Sequence, residues 1–256
     1  MNPSSLLVDI SQKIGKNLKF TDQKLHSALN NNWVVEDEEE KKYVLRIPKE
    51  NSSQILFIRE EYESIGYVEN GSEYKFRTLE EQASFTEKCS LNNLPVPQIR
   101  YVDQVVMLRD FVEGVSLDIF LKQEESQAII ENHISTIIKA HKRDIVFGDR
   151  WGSNEICTRE NKIIYIDFDI ELTSKNAKEF EIAQVLYHCI LQSKNKKEAV
   201  SIIKDLFTEN LFLSYNQKRF VEFLQGHLRY FSRREIYCGT DPKSIEPEIN
   251  QLISSL

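Results

Sequence analysis

The chain has 256 residues, 41% hydrophobic and 29% charged, with eight Gly and six Pro; this excludes a low-complexity chain and allows one large domain or two small lobes around a cleft. Its net charge of −7 sets the average field against nucleic acid and acidic membranes, so no direct nucleic-acid binding is expected. The scattered Cys89, Cys157, Cys189 and Cys238 show neither zinc spacing nor a disulfide framework, and with no basic leader and no run of the roughly 18 to 20 apolar residues that a membrane span needs, a cytoplasmic protein is expected.

Leu6, Leu7, Ile10, Ile14 and Leu18 recur at helical spacing, which predicts an amphipathic helix over 3–18. Trp33 to Val35 and Tyr43 to Ile47 flank the acidic run Glu36 to Glu40 and read as two antiparallel strands joined by a solvated turn. Beyond Asn51, residues Ile55, Ile58, Tyr62 and Ile65 share a helical face and a hairpin is expected around Glu69 to Ser72; the stretch 51–77 reads as an insertion in the first lobe. Thr78 and Glu81 have capping-box spacing, so a helix should run over 78–93. Short strands follow at Gln98 to Tyr101 and Val105 to Leu108. Further helices are predicted over 117–121, 126–141, 178–191, 197–210 and 216–234, the second with Ile129, Ile130, Ile134, Ile137 and Ile138 as its buried stripe. His133 and His141 are then packed helix residues, since no second His or Cys sits at ligand spacing. Arg229, Arg233 and Arg234 read as a solvated helix face.

The stretch from His141 to Glu171 carries the chemistry. Asp149 and Asn154 lie on a loop, and the apolar run Ile163 to Ile166 reads as a buried strand that delivers Asp167 at its end. In-line transfer of a γ-phosphoryl group requires an oriented acceptor hydroxyl and Mg²⁺ held against the phosphate oxygens. Mg²⁺ takes one or two carboxylates with phosphates and waters. Asp149 suits the hydroxyl and its proton, and Asn154 and Asp167 suit the metal. Asp149-x4-Asn154, followed thirteen residues later by Asp167-Phe168 and preceded by His141 eight residues before Asp149, resembles the catalytic loop and metal-binding segment of the protein-kinase-like superfamily.

The resemblance covers roughly 29–191. It implies an α+β, two-lobed fold with a small antiparallel N-lobe sheet over 1–109, a hinge at 110–114 and a helical C-lobe over 115–256, with the catalytic loop at 147–154, the metal-binding strand end at 163–169, and ATP and Mg²⁺ in the cleft. Catalytic roles fall to Asp149 and Asn154, and metal binding to Asn154 and Asp167. Nucleotide binding falls to Arg46, Glu81, Asp110 and Val112. Arg46 would be the phosphate-binding cation, with Arg59 a second candidate; Glu81 would pair with it, with Glu61 competing; the Asp110 carbonyl and Val112 amide would read adenine.

Several positions depart from the family pattern. A glycine-rich phosphate loop is missing, the corresponding turn being Asn30 to Asn32, and Arg46 replaces the usual Lys. Phe147 replaces a bracing His, so it would brace by packing. Asp169 replaces a glycine, as a metal-shell acid or a turn residue, and Arg150 and Trp151 are unusual in the loop. Glu181 stands where an Asp often buttresses the catalytic loop. Only thirty-six residues separate Val112 from Asp149 and eleven separate Asp169 from Glu181. That compact layout is similar to the small kinase of the tRNA threonylcarbamoyl-adenosine complex, the RIO kinases and the lipopolysaccharide-core kinases, with opening strands like those of the aminoglycoside and choline kinases. The activity implied is transfer of the γ-phosphoryl of Mg-ATP to a hydroxyl on a protein or small molecule. The departures keep a catalytically inert, kinase-like binding module open. A remoter alternative is a haloacid-dehalogenase-type phosphatase, from a buried strand ending in Asp-x-Asp, against which stand Glu171 and only 89 residues downstream of Asp167.

Overall fold

The computed structural model describes residues 3–25, 27, 29–49, 54–68, 74–123, 127–208, 212, 214–234 and 239–255. In chain order the elements are α1 (Pro3–Ile14), β1 (Lys19–Leu25), β2 (Asn30–Glu36), β3 (Lys42–Pro48), α2 (Gln54–Ile65), β4 (Tyr74–Phe76), α3 (Leu79–Leu91), β5 (Ile99–Val102) and β6 (Met107–Asp110). They continue with β7 (Val115–Ser116), α4 (Leu117–Gln123), α5 (Gln127–His141), β8 (Glu155–Cys157), β9 (Ile163–Tyr165), β10 (Ile170–Leu172), α6 (Ala177–Gln192), α7 (Lys196–Thr208), α8 (Gln217–Phe231), a 3-10 turn at Pro242–Ile245 and α9 (Glu246–Ile253). Two compact units result, 1–57 with 77–112, and 58–76 with 113–256. The chain passes from one to the other between Val112 and Glu113, inside the stretch read as a hinge.

The first unit is built on an antiparallel sheet in the order β1-β2-β3-β6-β5. Strand β3 shows why it has two helices. With a side-chain period of two, Tyr43 and Leu45 face one side, where they join Leu7 and Ile10 of α1 with Val35 and Leu108. Arg46 stands opposite Met107, which packs with Leu79 and Ala83 of α3 on the other side. Helix α1 ends at Ile14, short of the expected 18, yet Leu18 still enters the same core. Strand β1 was not predicted: its sequence KFTDQKL is an edge strand, largely exposed, and so lacks an apolar alternation to read. Asn30 to Asn32 form the opening of β2 with Asn30 and Asn32 buried, which corrects their reading as a turn. The acidic run is not wholly solvated either. Asp37 is buried, paired with Lys16, and accepts from Tyr43 Oη at 2.8 Å and the Glu39 and Lys41 amides at 3.0 Å. Lys16, ahead of the other donors, holds its carboxyl well below the usual range. Helix α3 carries the expected capping box, Thr78 Oγ1 accepting from the Glu81 amide at 3.2 Å and Glu81 Oε2 accepting from the Thr78 amide at 2.9 Å.

In the second unit, α6 is buried along almost its whole length, with α8 packed on it through Phe180 against Phe223 and Tyr187 against Phe231. A small antiparallel sheet, β7-β8-β9, carries the ends of the loop bearing Asp149 and Asn154 and of the Asp167 segment. The insertion 51–77, expected in the first lobe, is corrected here: from Ile58 to Phe76 it belongs to the second unit. Tyr62 and Tyr67 find apolar partners in Phe180 and Phe223, and β4 pairs antiparallel with β10, placing Phe76 opposite Ile170. The hairpin expected at 69–72 lies outside the described residues. Cys89, Cys157 and Cys189 are buried free thiols, and Cys238 lies outside the described residues. Among the described residues no helix is long and apolar enough to cross a membrane.

Candidate active site

Helix α6 holds the loop bearing Asp149 and Asn154 by that loop's backbone. Glu181 Oε1 accepts from the Gly148 amide and Oε2 bonds His141 Nε2, both at 2.6 Å, so a buried carboxylate ties the loop to the end of α5. One turn on, Gln184 Oε1 accepts from the Arg150 amide at 2.7 Å while its Nε2 donates to Asp149 Oδ1 at 3.0 Å. Asn154 Nδ2 donates to the Asp149 carbonyl at 2.9 Å. Its oxygen end is thereby turned away from that carbonyl, and the Asn154 carbonyl accepts from the Ile166 amide at 2.9 Å. Loop and strand end are thus stitched together beside Asp167.

Arg150, 1% exposed, completes the stitching. Its guanidinium donates to Glu155 Oε1 and the Ile166 carbonyl at 3.2 Å, and to the Asp167 carbonyl at 2.5 Å. Burial pushes the Glu155 carboxyl up to about 7 against the opposing pull of Arg150. Phe147 lies nearly parallel to Tyr165 at 4.6 Å and stacks on Phe168 at 5.8 Å, so it packs against the segment on both sides of Asp167. His133 Nδ1 is bonded to Tyr165 Oη at 2.8 Å inside the core. Asp167 adopts φ +63°, a left-handed backbone uncommon for a residue with a Cβ and concentrated at functional sites. Gly148, at φ +105°, has the opposite need: a Cβ there would lie 2.1 Å from the Ile170 carbonyl oxygen, so only glycine lets the loop pass this close.

Asp149 itself is crowded. Tyr62 Oη, from the inserted helix α2, donates to Asp149 Oδ1 at 3.1 Å. Burial raises the Asp149 carboxyl above its ordinary range, opposed first by the hydrogen bond from Gln184. Beside it Glu61 is 0% exposed, and neither of its carboxylate oxygens has a hydrogen-bond partner. Its pKa is driven well up, by burial first and the Asp149 charge second.

In the first unit, Arg46 is 2% exposed and donates from Nη1 to Gln82 Oε1 at 2.7 Å. Glu81, expected there, is exposed and caps its own helix, so the α3 side chain seen at the guanidinium is the next one along. The competing pair is placed elsewhere: Arg59 is bonded to Glu63 at 2.8 Å on its own helix, and Glu61 lies beside Asp149 in the second unit. Asp110 ends β6, its carboxylate gripped by Arg100 at 2.7 and 2.8 Å, and Val112 is half-buried where the unit ends. Tyr62, Gln184 and the Arg150–Glu155 pair surround Asp149 and its loop without having been assigned from the sequence, and Glu61, considered there only as a partner for the strand arginine, joins them. The buried faces of α2 and α6 were visible in the sequence; their destination was not.

No protein-family model matches the sequence, and no curated protein matches it. Among solved structures, the Rio2 kinase from Chaetomium thermophilum aligns with a TM-score of 0.55 at 12% identity, over 91% of this chain and 80% of that one. The Rio2 kinase-ADP/Mg²⁺-phosphoaspartate complex from the same organism gives 0.49 at 12% identity over 98% and 74%. The Rv3197–erythromycin complex from Mycobacterium tuberculosis gives 0.45 at 10% identity over 67% and 53%. The fold is protein-kinase-like, which removes the haloacid-dehalogenase alternative.

Proposed function

We propose that the chain is an ATP-dependent kinase that transfers the γ-phosphoryl group of Mg-ATP to a hydroxyl on a protein or small-molecule acceptor. The observation that carries this reading is the pair Asp149 and Asn154 on one hydrogen-bonded loop, tied through Arg150 and the Asn154 carbonyl to the segment bearing Asp167. Mg²⁺ fits this donor set. Asn154 spends its amide nitrogen on the Asp149 carbonyl, which leaves an oxygen to offer beside the Asp167 carboxylate.

When bound, the metal would neutralise charge on the β- and γ-phosphate oxygens. Asp149 orients the acceptor hydroxyl and takes its proton. Arg46, held by Gln82, binds phosphate oxygens, while the Asp110 carbonyl and Val112 amide meet the base.

Two aspartate variants test the assignment. Asp167→Asn should abolish the rise in melting temperature that Mg-ATP produces, a stabilisation of about 2.7 kcal/mol at ligand a hundredfold above its dissociation constant. Asp149→Asn should keep that rise while turnover falls by about 10²- to 10⁴-fold. The reverse pattern would exchange the two roles, and no Mg-ATP effect on the folded protein would remove the reading. A second reading, a nucleotide-binding module without turnover, is favoured by the Tyr62 hydrogen bond that already engages Asp149. Stabilisation by Mg-ATP with no turnover in any variant would select it.

A further inference from the structure

The inserted segment meets the site at two points. Helix α2 places the Tyr62 hydroxyl on Asp149 Oδ1 at 3.1 Å, and β4 pairs with β10, three residues beyond Asp167, where Lys75 also meets Glu171 at 3.1 Å. The packing beneath the helix is shaped for it. Gly226 of α8 lies under Ile65 so closely that a Cβ would stand 2.3 Å from the Ile65 carbonyl oxygen, and the Tyr62 ring meets Tyr67, Tyr74 and Phe180 edge-on with centroids at 5.7, 5.0 and 5.1 Å.

We infer that α2 is a built-in plug: Tyr62 occupies the acceptor-hydroxyl position on Asp149, so the state seen here is closed to outside acceptors and must release α2 to admit one. The inference rests on the phosphotransferase reading. A hydroxyl donating to one carboxylate oxygen makes the contact that an acceptor makes with its general base, at ordinary hydrogen-bond distance. Tyr62 is 0% exposed and enclosed by three rings, which suits a blocking group and not one that receives a phosphoryl group. Glu61 supplies the reason for release. Docking α2 buries this carboxyl beside Asp149 with neither oxygen hydrogen-bonded, a cost opposed only by the field of Arg234, and this lowers the free energy needed to release the helix.

The test compares the full chain with Tyr62→Phe, which keeps the ring and deletes the hydroxyl, and Gly226→Ala, which disturbs the seat of α2 without touching Asp149. Mg-ATP hydrolysis, with water as acceptor, is measured together with Mg-ATP-induced melting shifts and hydrogen exchange of the amides over 61–65. Tyr62→Phe should hydrolyse ATP about three- to tenfold faster, the population change expected from losing one hydrogen bond, and Gly226→Ala should also be faster because its added Cβ lifts the seat of α2, both with faster exchange in α2 and an unchanged Mg-ATP shift. Unchanged or slower hydrolysis with the shift intact would overturn the plug while leaving nucleotide binding standing. Phosphate found on Tyr62 of the wild type by mass spectrometry would make it a substrate and overturn it as well. Loss of the Mg-ATP shift in the wild type itself would bring down the phosphotransferase reading and this inference with it.

Discussion

Arg150 carries a permanent charge with its side chain wholly buried, and Glu155 meets it with a carboxylate equally shut away. Removing one member of such a pair strands the other. Arg150→Met should therefore cost about 3–5 kcal/mol in urea unfolding, and a double replacement with Glu155→Leu should recover most of it. A double variant as unstable as the single one would mean that the donations to the Ile166 and Asp167 carbonyls carry the stability. The two aspartates and Asn154 could be picked out in the sequence because residue type and spacing specify oxygen donors on a loop and a strand end. Arg150 could not, since an arginine in a polar loop normally faces water and its partners were set by folding. Arg46 was singled out by its place in the third strand, and the α3 side chain bonded to it is Gln82, one residue from the expected Glu81 and on a different face of the helix.

Helices with a clear apolar period were foreseen, and the caps at Thr78 and Asn216 mark where α3 and α8 begin. Thr78→Ala should lower stability by about 1 kcal/mol through loss of the α3 N-cap, read as a small drop in the urea midpoint. Close approach is more costly to disturb: Gly148→Ala would drive a Cβ to 2.1 Å from the Ile170 carbonyl at a left-handed φ, so a loss of at least about 2 kcal/mol is expected. A neutral result in the same unfolding experiment would show that the loop can retreat from β10. Strand β1 escaped notice because edge strands are polar, and α2 was recognised as a helix but assigned to the wrong unit. Periodicity reports that a face is buried without naming what buries it; Phe180 and Phe223, more than a hundred residues downstream, answer that question.

Over the whole molecule, acids whose carboxyls are raised by burial tie stability to pH. Glu61 is raised by burial and by Asp149, with Arg234 opposing, and Tyr230 also lies within its field. Asp149 and Glu155 are raised as well, chiefly by burial. In each case the folded state binds the proton more tightly than the unfolded chain. Their contribution is full below the ordinary carboxyl value, about 4.5 for Glu61, and is lost as pH climbs through the raised one. Melting temperature should accordingly fall as pH rises from about 5 to 8, and Glu61→Gln, which cannot ionise, should flatten part of that slope. Equal slopes in the two proteins would mean that Glu61 keeps its charge when folded. Asp37 acts in the other direction, since Lys16 holds it low, and its stabilisation is lost only in strong acid.

The three buried thiols turn the native protein into its own opening reporter. Cys89 belongs to the first unit, and Cys157 and Cys189 belong to the second; all are at most 2% exposed, and burial pushes the Cys157 thiol up to about 12. A maleimide or disulfide reagent reacts with thiolate, so each cysteine should remain unlabelled until the structure around it opens. Peptide mapping after a timed pulse in mild urea would then assign a separate opening free energy to each unit without introducing a single label. If Cys157 and Cys189 react at a lower urea concentration than Cys89, the unit bearing the catalytic loop is the first to open; simultaneous labelling would identify one cooperative transition for the whole chain.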